Sequence, residues 1–187
     1  MIIASQVNTE TELRQILELQ QQNLRDVHPE PIEKEQGFVT VIHSLPVLQQ
    51  MQAFEPSIIV KDNDSLAGYA LTMTKDCSGL VPELFPLFEN MDKLMYQGKP
   101  MSQYRFYVMG QVCVAALYRG KGVFDLLYNQ HKAAFSHKYD FVITDIATRN
   151  TRSMRAHARI GFKTIHTYRD ELDEWDTVLW DWHVPSA

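Results

Sequence analysis

Two apolar runs with a glycine-containing loop between them constrain this chain more than any other feature. The runs, Arg105 to Ala115 and Phe141 to Ala147, are short, rich in strand-forming residues and continuous enough to be covered on both faces. Between them lie Arg119-Gly120-Lys121-Gly122 and a stretch from Val123 to His137 that carries Val123, Leu127 and Ala134 on one helical stripe. Strand, loop, helix and strand in that order commit this half of the chain to a sheet with a helix lying on it.

The flanks fit such a layer. A short strand, Ile2 to Ser5, precedes Thr9-Glu10-Thr11-Glu12, which has capping-box spacing and predicts a helix from about Glu10 to Asp26. His28-Pro29-Glu30-Pro31 stops that helix. A second helical stretch covers Phe38 to Gln52, with Pro46 expected to kink or divide it. Ser57 to Val60 and Leu66 to Thr74, joined by Asp62-Asn63-Asp64-Ser65, read as an antiparallel hairpin. Lys75 to Gln103 is an unusually long connection with an amphipathic segment from Pro82 to Tyr96, the length of a lid or a dimer element. After Ala147 come a short helix, Arg152 to Arg159, ended by Gly161, and strands near Lys163 to Tyr168 and Asp176 to Val184. The order is strand, two helices, three strands, helix, strand, helix, two strands. It predicts one α/β (α+β) domain over 1–187, a mixed sheet of about seven strands with helices on both faces, and 75–103 as an insertion between the third and fourth strands.

Charge and cysteines exclude several classes. Against 18 Lys and Arg stand 23 Asp and Glu, a net of -5, and no basic cluster is denser than Arg149 to Arg159, so nucleic acid is not an expected partner. No apolar run reaches membrane-span length and no leader pattern opens the chain, which predicts a cytoplasmic protein with no membrane partner. Cys77 and Cys113 form no CxxC pair, so neither a disulfide framework nor a metal site is expected.

Chemistry concentrates at the glycine loop. Gly120 and Gly122 remove side chains where backbone N–H groups at a helix start point outward, a donor cradle for an anion, and Arg119 and Lys121 add positive charge beside it. The loop is neither GxxxxGK followed by Ser or Thr, nor GxGxxG, since Asp125 stands where the third glycine would be.

The strand ending in Val114, then Arg119-Gly120-Lys121-Gly122 and an apolar helix, resembles the acetyl-CoA motif of the GNAT superfamily, R/Q-x-x-G-x-G/A. About 30 residues on, Asn150 to Phe162 is similar to that family's second motif, N-x-x-A/S-x-x-x-Y-x-K-x-G-F. Phe124 replaces the usual Gly or Ala, and Ala116 a frequent proline. The resemblance implies a GNAT fold with acetyl-CoA between two splayed parallel strands, no metal, and direct acyl transfer to an amine of a small molecule or peptide; it leaves a homodimer open. It further implies that backbone groups at Val112, Cys113 and Val114 pair with the pantetheine arm. The amides of Gly120 to Phe124, Val123 among them, would take the diphosphate beside Arg119 and Lys121, with Asn150 and Ser153 along the arm. His157, where the motif has tyrosine, is the candidate proton donor to the leaving thiolate. The glutamate position of several relatives is Gln111, which accepts no proton at useful pH, so Asp145, Tyr107 or a water chain remains for the base. Acceptor specificity falls to the acidic stretch Asp26 to Gly37, with Asp26 and His28, and to Tyr107. The competing implication is a CoA-binding or regulatory module without turnover, favoured by Gln111 and Phe124.

Overall fold

In the computed structural model, which describes residues 1–24, 41–81, 85–171 and 173–183, the chain opens with β1 (Ile2–Gln6) and α1 (Glu10–Gln21). The expected capping box forms: the Thr9 hydroxyl accepts the Glu12 amide at 3.2 Å and the Glu12 carboxylate accepts the Thr9 amide at 3.1 Å. Such a cap stabilises a helix start by about 1 kcal/mol. Next, α2 spans Leu45–Phe54 with Pro46 in its first turn. The expectation that Pro46 would kink or divide a longer helix is corrected: a first-turn residue has no carbonyl behind it to bond, so a proline there starts the helix.

Strands β2 (Ile58–Asp62) and β3 (Ser65–Met73) form the expected antiparallel hairpin, closing at Asp62↔Ser65. The long connection contains α3 (Phe85–Lys93) and a two-stranded ladder, β4 (Met95–Tyr96) with β5 (Lys99–Pro100). Cys77, Val81, Phe88, Met91 and Met101 are buried in one cluster with Leu13, Ile16, Leu48 and Met51 of α1 and α2. This connection therefore packs as a wall of the core, not as a lid over it.

The remaining elements are β6 (Phe106–Val114), α4 (Val123–Phe135), β7 (Phe141–Ala147), α5 (Thr151–Ile160), β8 (Lys163–Arg169) and β9 (Glu174–Asp181). They complete the expected mixed sheet of seven strands, in the order β1-β2-β3-β6-β7-β9-β8, with β6 and β7 its parallel pair. Helices α1, α2 and α3 cover one face; Val123, Leu127, Tyr128 and Phe135 of α4 fill the other, with Met154 and Ile160 of α5 packed against them. Helix α5 ends at Gly161, whose φ of 119° reverses the chain and whose missing side chain leaves room for the Trp180 indole; a Cβ there would lie 2.9 Å from Nε1.

Two details of β6 position the site. Its ladder with β3 shifts between Leu71↔Gln111 and Thr72↔Met109, so Gly110 is an extra residue. Phe106 and Val108 face the α1 side, and Tyr107 and Met109 the α4 side. Past the bulge the parity reverses, which turns Gln111 and Cys113 toward α1. The ladder with β7 holds only at Phe106↔Phe141, Tyr107↔Val142 and Val108↔Ile143, after which the two strands diverge. At the crotch the Thr144 hydroxyl donates to the Met109 carbonyl at 2.8 Å, substituting a side chain for the next ladder bond.

Candidate active site

The fork between β6 and β7 opens into two cavities. The larger, of about 800 Å³, runs along Val112, Cys113 and Val114 to the glycine loop and the exposed side of α5. The smaller, of about 120 Å³, lies against Gly110, Gln111, Asp145, His157 and Trp175. Val112, Asn150 and Ser153 line both, so the two spaces meet at these residues.

At the large cavity the chain leaves β6 through a 3-10 turn, Ala116–Tyr118, and crosses Gly120 and Gly122 at φ of 74° and 78° before α4 starts at Val123. Positive φ at both positions is the conformation that glycine adopts without strain. Gly122 is the N-cap of α4 and supplies no side-chain cap, so the first-turn amides at Val123, Phe124 and Asp125 precede any intrahelical acceptor. A Cβ at Gly120 or Gly122 would meet nothing within 4 Å, so the cradle is open as well as glycine-lined. The arrangement suits a phosphate group.

Charge at this mouth comes from Arg119, as expected, and from three further arginines. Arg119 turns back, its Nε donating to the Val114 carbonyl at 3.3 Å and its Nη2 to Asn23 at 2.8 Å. Lys121 does not line the cavity itself; its ammonium sits 5.6 Å from the centre of the ring of Tyr118, which does. Instead, Arg152, Arg155 and Arg159 of α5 line the cavity. Their spacing of three and four puts them on one helix face, a signal present in the sequence. Arg159 pairs with Asp125 at 2.8 Å. Burial, and next the nearby Arg119 guanidinium, push the Arg152 pKa down, as in a cluster of like charges suited to an anion. Phe124 neither displaces the helix start nor fills the cradle: its ring packs against Tyr128 and edge-on to His157, with centroids at 4.9 and 5.0 Å.

Along the arm of the cavity, the Asn150 carbonyl oxygen caps α5 by accepting the Ser153 amide at 3.1 Å, which leaves its NH₂ as the donor. The Cys113 thiol is buried and pushed up to about 12, so it is inert, and Cys113 contributes main chain to the wall.

His157 lies on the wall of the small cavity, and its state follows from its partners. The Ser153 carbonyl can only accept, so the contact at 2.8 Å places the ring proton on Nδ1. Nε2 must then accept from the Tyr128 hydroxyl at 2.6 Å. Burial pushes the pKa of the ring down to about 4. At neutral pH His157 is therefore a neutral ring whose one N–H is engaged, an arrangement that does not fit the expected proton donor. Its Nδ1 also lies 3.2 Å from the Ser153 hydroxyl, which is left free to aim its own proton into the fork.

Gln111 is tied in place. Its Oε1 accepts from Gln20 at 2.9 Å and from the Tyr69 hydroxyl at 2.5 Å, while its Nε2 donates to the Val41 carbonyl at 2.9 Å. Its part is to fix the 41–44 segment and α1 on the fork. Asp145 presents a carboxylate to the small cavity, held by the Tyr168 hydroxyl at 2.5 Å and the Thr177 hydroxyl at 2.7 Å. Burial raises its pKa against those two donors. Tyr107, expected at the base or the acceptor, is in neither place: it is fully buried on the α4 side, its hydroxyl 2.9 Å from His131 Nδ1. Strand alternation before the bulge turns it away from the fork. Asp26 and His28 lie outside the described residues. Among the described residues no group of three or more His, Cys, Asp or Glu is placed to hold a metal, and no helix is long and apolar enough to cross a membrane.

Neither a protein-family model nor a curated protein matches this chain. Solved structures do match over nearly its whole length. The ribosomal-protein-S18-alanine N-acetyltransferase of Escherichia coli superposes with a TM-score of 0.65 at 11% identity, over 100% of this chain and 97% of that one. The protein yncA of Salmonella typhimurium, solved with its cofactor acetyl-CoA, gives 0.61 at 13% identity over 100% and 96%. The NatC complex bound to Gag peptide and CoA gives 0.62 at 13% identity over 96% and 98%. The overall fold is thus shared with proteins of very different sequence: this chain has the fold of the GNAT acetyltransferases.

Proposed function

We propose that this protein is an N-acetyltransferase that moves an acetyl group from acetyl-CoA to a primary amine by direct attack in a ternary complex. The observation that carries the reading is the meeting of two unlike cavities at Val112, Asn150 and Ser153, one long and cationic, the other small and anionic. The donor fits the first: the open glycine cradle suits a diphosphate, the unpaired edge of β6 at 112–114 suits an extended amide-bearing arm, and the volume is that of a sizeable ligand site. Acetyl-CoA supplies the activated acyl thioester. Among structural neighbours, one is named for acetylating a ribosomal protein and another was solved with a peptide and CoA, which agrees with an amine acceptor.

The chain's own residues then divide the work. The amides of Gly122, Val123 and Phe124 hold the diphosphate, and Asn150 Nδ2 and the main chain of Val112, Cys113 and Val114 align the arm. Asp145, its carboxylate fixed by two hydroxyls, takes the ammonium proton of the acceptor; its raised pKa makes it a better base than an ordinary aspartate. Ser153 Oγ donates a hydrogen bond toward the departing sulfur, held by His157 behind it. Proximity supplies much of the rest, since alignment alone contributes on the order of 7 to 11 kcal/mol in favourable cases.

Acceptor-dependent release of free thiol from acetyl-CoA, followed over a panel of amines, tests this. Asp145→Asn is expected to lower kcat by about 10²-fold or more with the acetyl-CoA Kd unchanged. The locked amide at Gln111 and the neutral ring at His157 favour a second reading, a CoA-binding module without turnover. Tight CoA binding with no thiol released by any acceptor would establish that alternative.

A further inference from the structure

One arginine of the large cavity is held from outside the glycine loop. Asn23, just past the end of α1, is buried and lines the cavity beside Arg119, although 96 positions separate the two in the chain. Its two partners orient its amide. The Leu19 carbonyl can only accept, so the NH₂ group faces it at 2.8 Å and satisfies one of the carbonyls left open at the end of α1. The Arg119 guanidinium can only donate, so the oxygen faces it and takes Nη2 at 2.8 Å. The Asn23 backbone N–H is engaged by the Gln20 carbonyl at 2.9 Å, which fixes the residue to the last turn. Three residues earlier, Gln20 bonds Gln111 at 2.9 Å, so this end of α1 is anchored on β6.

Arg119 needs such a hold. Its charge acts on Arg152, whose pKa is lowered by burial and next by the Arg119 guanidinium. Like charges this close repel until an anion comes between them, and a long side chain that drifts away must be ordered again on binding. The Asn23 oxygen, together with the Val114 carbonyl that takes Nε at 3.3 Å, keeps the guanidinium at the cavity wall. We infer that Asn23 is a positioning residue for acetyl-CoA: acting through Arg119, it preorganises positive charge for the diphosphate. The inference rests on the reading of the large cavity as the donor site, and it makes α1 a part of that site.

The test is a double-mutant cycle on the Kd of CoA with Asn23→Ala, Arg119→Gln and the pair. Asn23→Ala is expected to weaken CoA binding about 3- to 10-fold, the equivalent of ordering one long side chain on binding. In the Arg119→Gln background the same change should add less than about twofold. Should the alanine variant not fold, Asn23→Leu, which keeps the branched shape without the acceptor, completes the same cycle. Nitrogen-15 relaxation of the Arg119 Nε–H in ligand-free protein gives a second readout: rigid in the wild type, mobile once Asn23 is replaced. An undiminished loss in the Arg119→Gln background, no loss on replacing Asn23, or an Arg119 side chain equally rigid in both proteins overturns the positioning role and leaves the donor site intact. Wild-type protein that does not bind CoA overturns the donor reading and this inference together.

Discussion

Among single residues, His157 shows how far a side chain's surroundings can reverse the role its motif position suggests. Its folded pKa of about 4 lies below the ordinary 6.5, so between these values the unfolded chain binds a proton that the folded chain refuses. Stability from this ring is therefore complete above pH 6.5 and is lost as pH falls toward 4, a loss of about 3 kcal/mol for a shift of this size. His131, fully buried and pushed down to about 3, acts in the same direction. Urea midpoints measured between pH 7 and pH 4 should drop steeply in the wild type and less steeply in His157→Gln, which keeps an acceptor for Tyr128; identical slopes would mean that the ring titrates normally. The sequence located this residue but not its state, because the state is set by Tyr128, 29 positions away in the chain, and by the turn of helix below it. Asp145 was legible as one of several bases. What singles it out, two hydroxyls from β8 and β9, depends on strand neighbours that no local pattern reveals.

Among elements, the decisive feature is the single extra residue in β6. Gly110 bends the strand off β7 and turns Gln111 toward α1; without it, the fork would close and the amide network would face the wrong layer. A methyl group at Gly110 would lie 2.1 Å from the Met73 sulfur, and Met73 is fully buried. Gly110→Ala is expected to cost about 1 to 3 kcal/mol, and Met73→Ala in the same chain should recover part of that loss. A double-mutant cycle on denaturant unfolding reads the coupling; strict additivity would show that the two side chains never compete. Sequence patterns anticipated the capping box, the β2–β3 hairpin and the glycine loop, all of which are signalled within a few residues. They missed the bulge, since a glycine inside an apolar run looks the same whether or not it is paired, and they misjudged Pro46, since a proline is tolerated or disruptive according to a helix start that is itself in question. The arginine face of α5 was in plain view at 152, 155 and 159, but its meaning required knowing that the helix borders a cavity.

At the scale of the molecule, the sheet consists of two blocks, β1-β2-β3-β6 and β7-β9-β8, whose strands β6 and β7 are joined through three residue pairs, the Thr144–Met109 bond at the open end and the Arg105–Asp140 contacts at the closed end. The connection is narrow, and on the proposed reading the donor lies along the rest of the gap. Amide hydrogen exchange should then slow by about 10-fold or more at 111–114 on adding acetyl-CoA, with little change between β2 and β3; uniform protection across the sheet would point to global stabilisation instead. The overall order of strands and helices was readable from alternation and turn composition, while the separation of the two blocks was not, because it arises from pairs that fail to form. A thioester seated in this gap would act as a removable rung of the ladder. The stiffness of the protein would then follow the abundance of its own substrate, and a starved molecule would be a looser one.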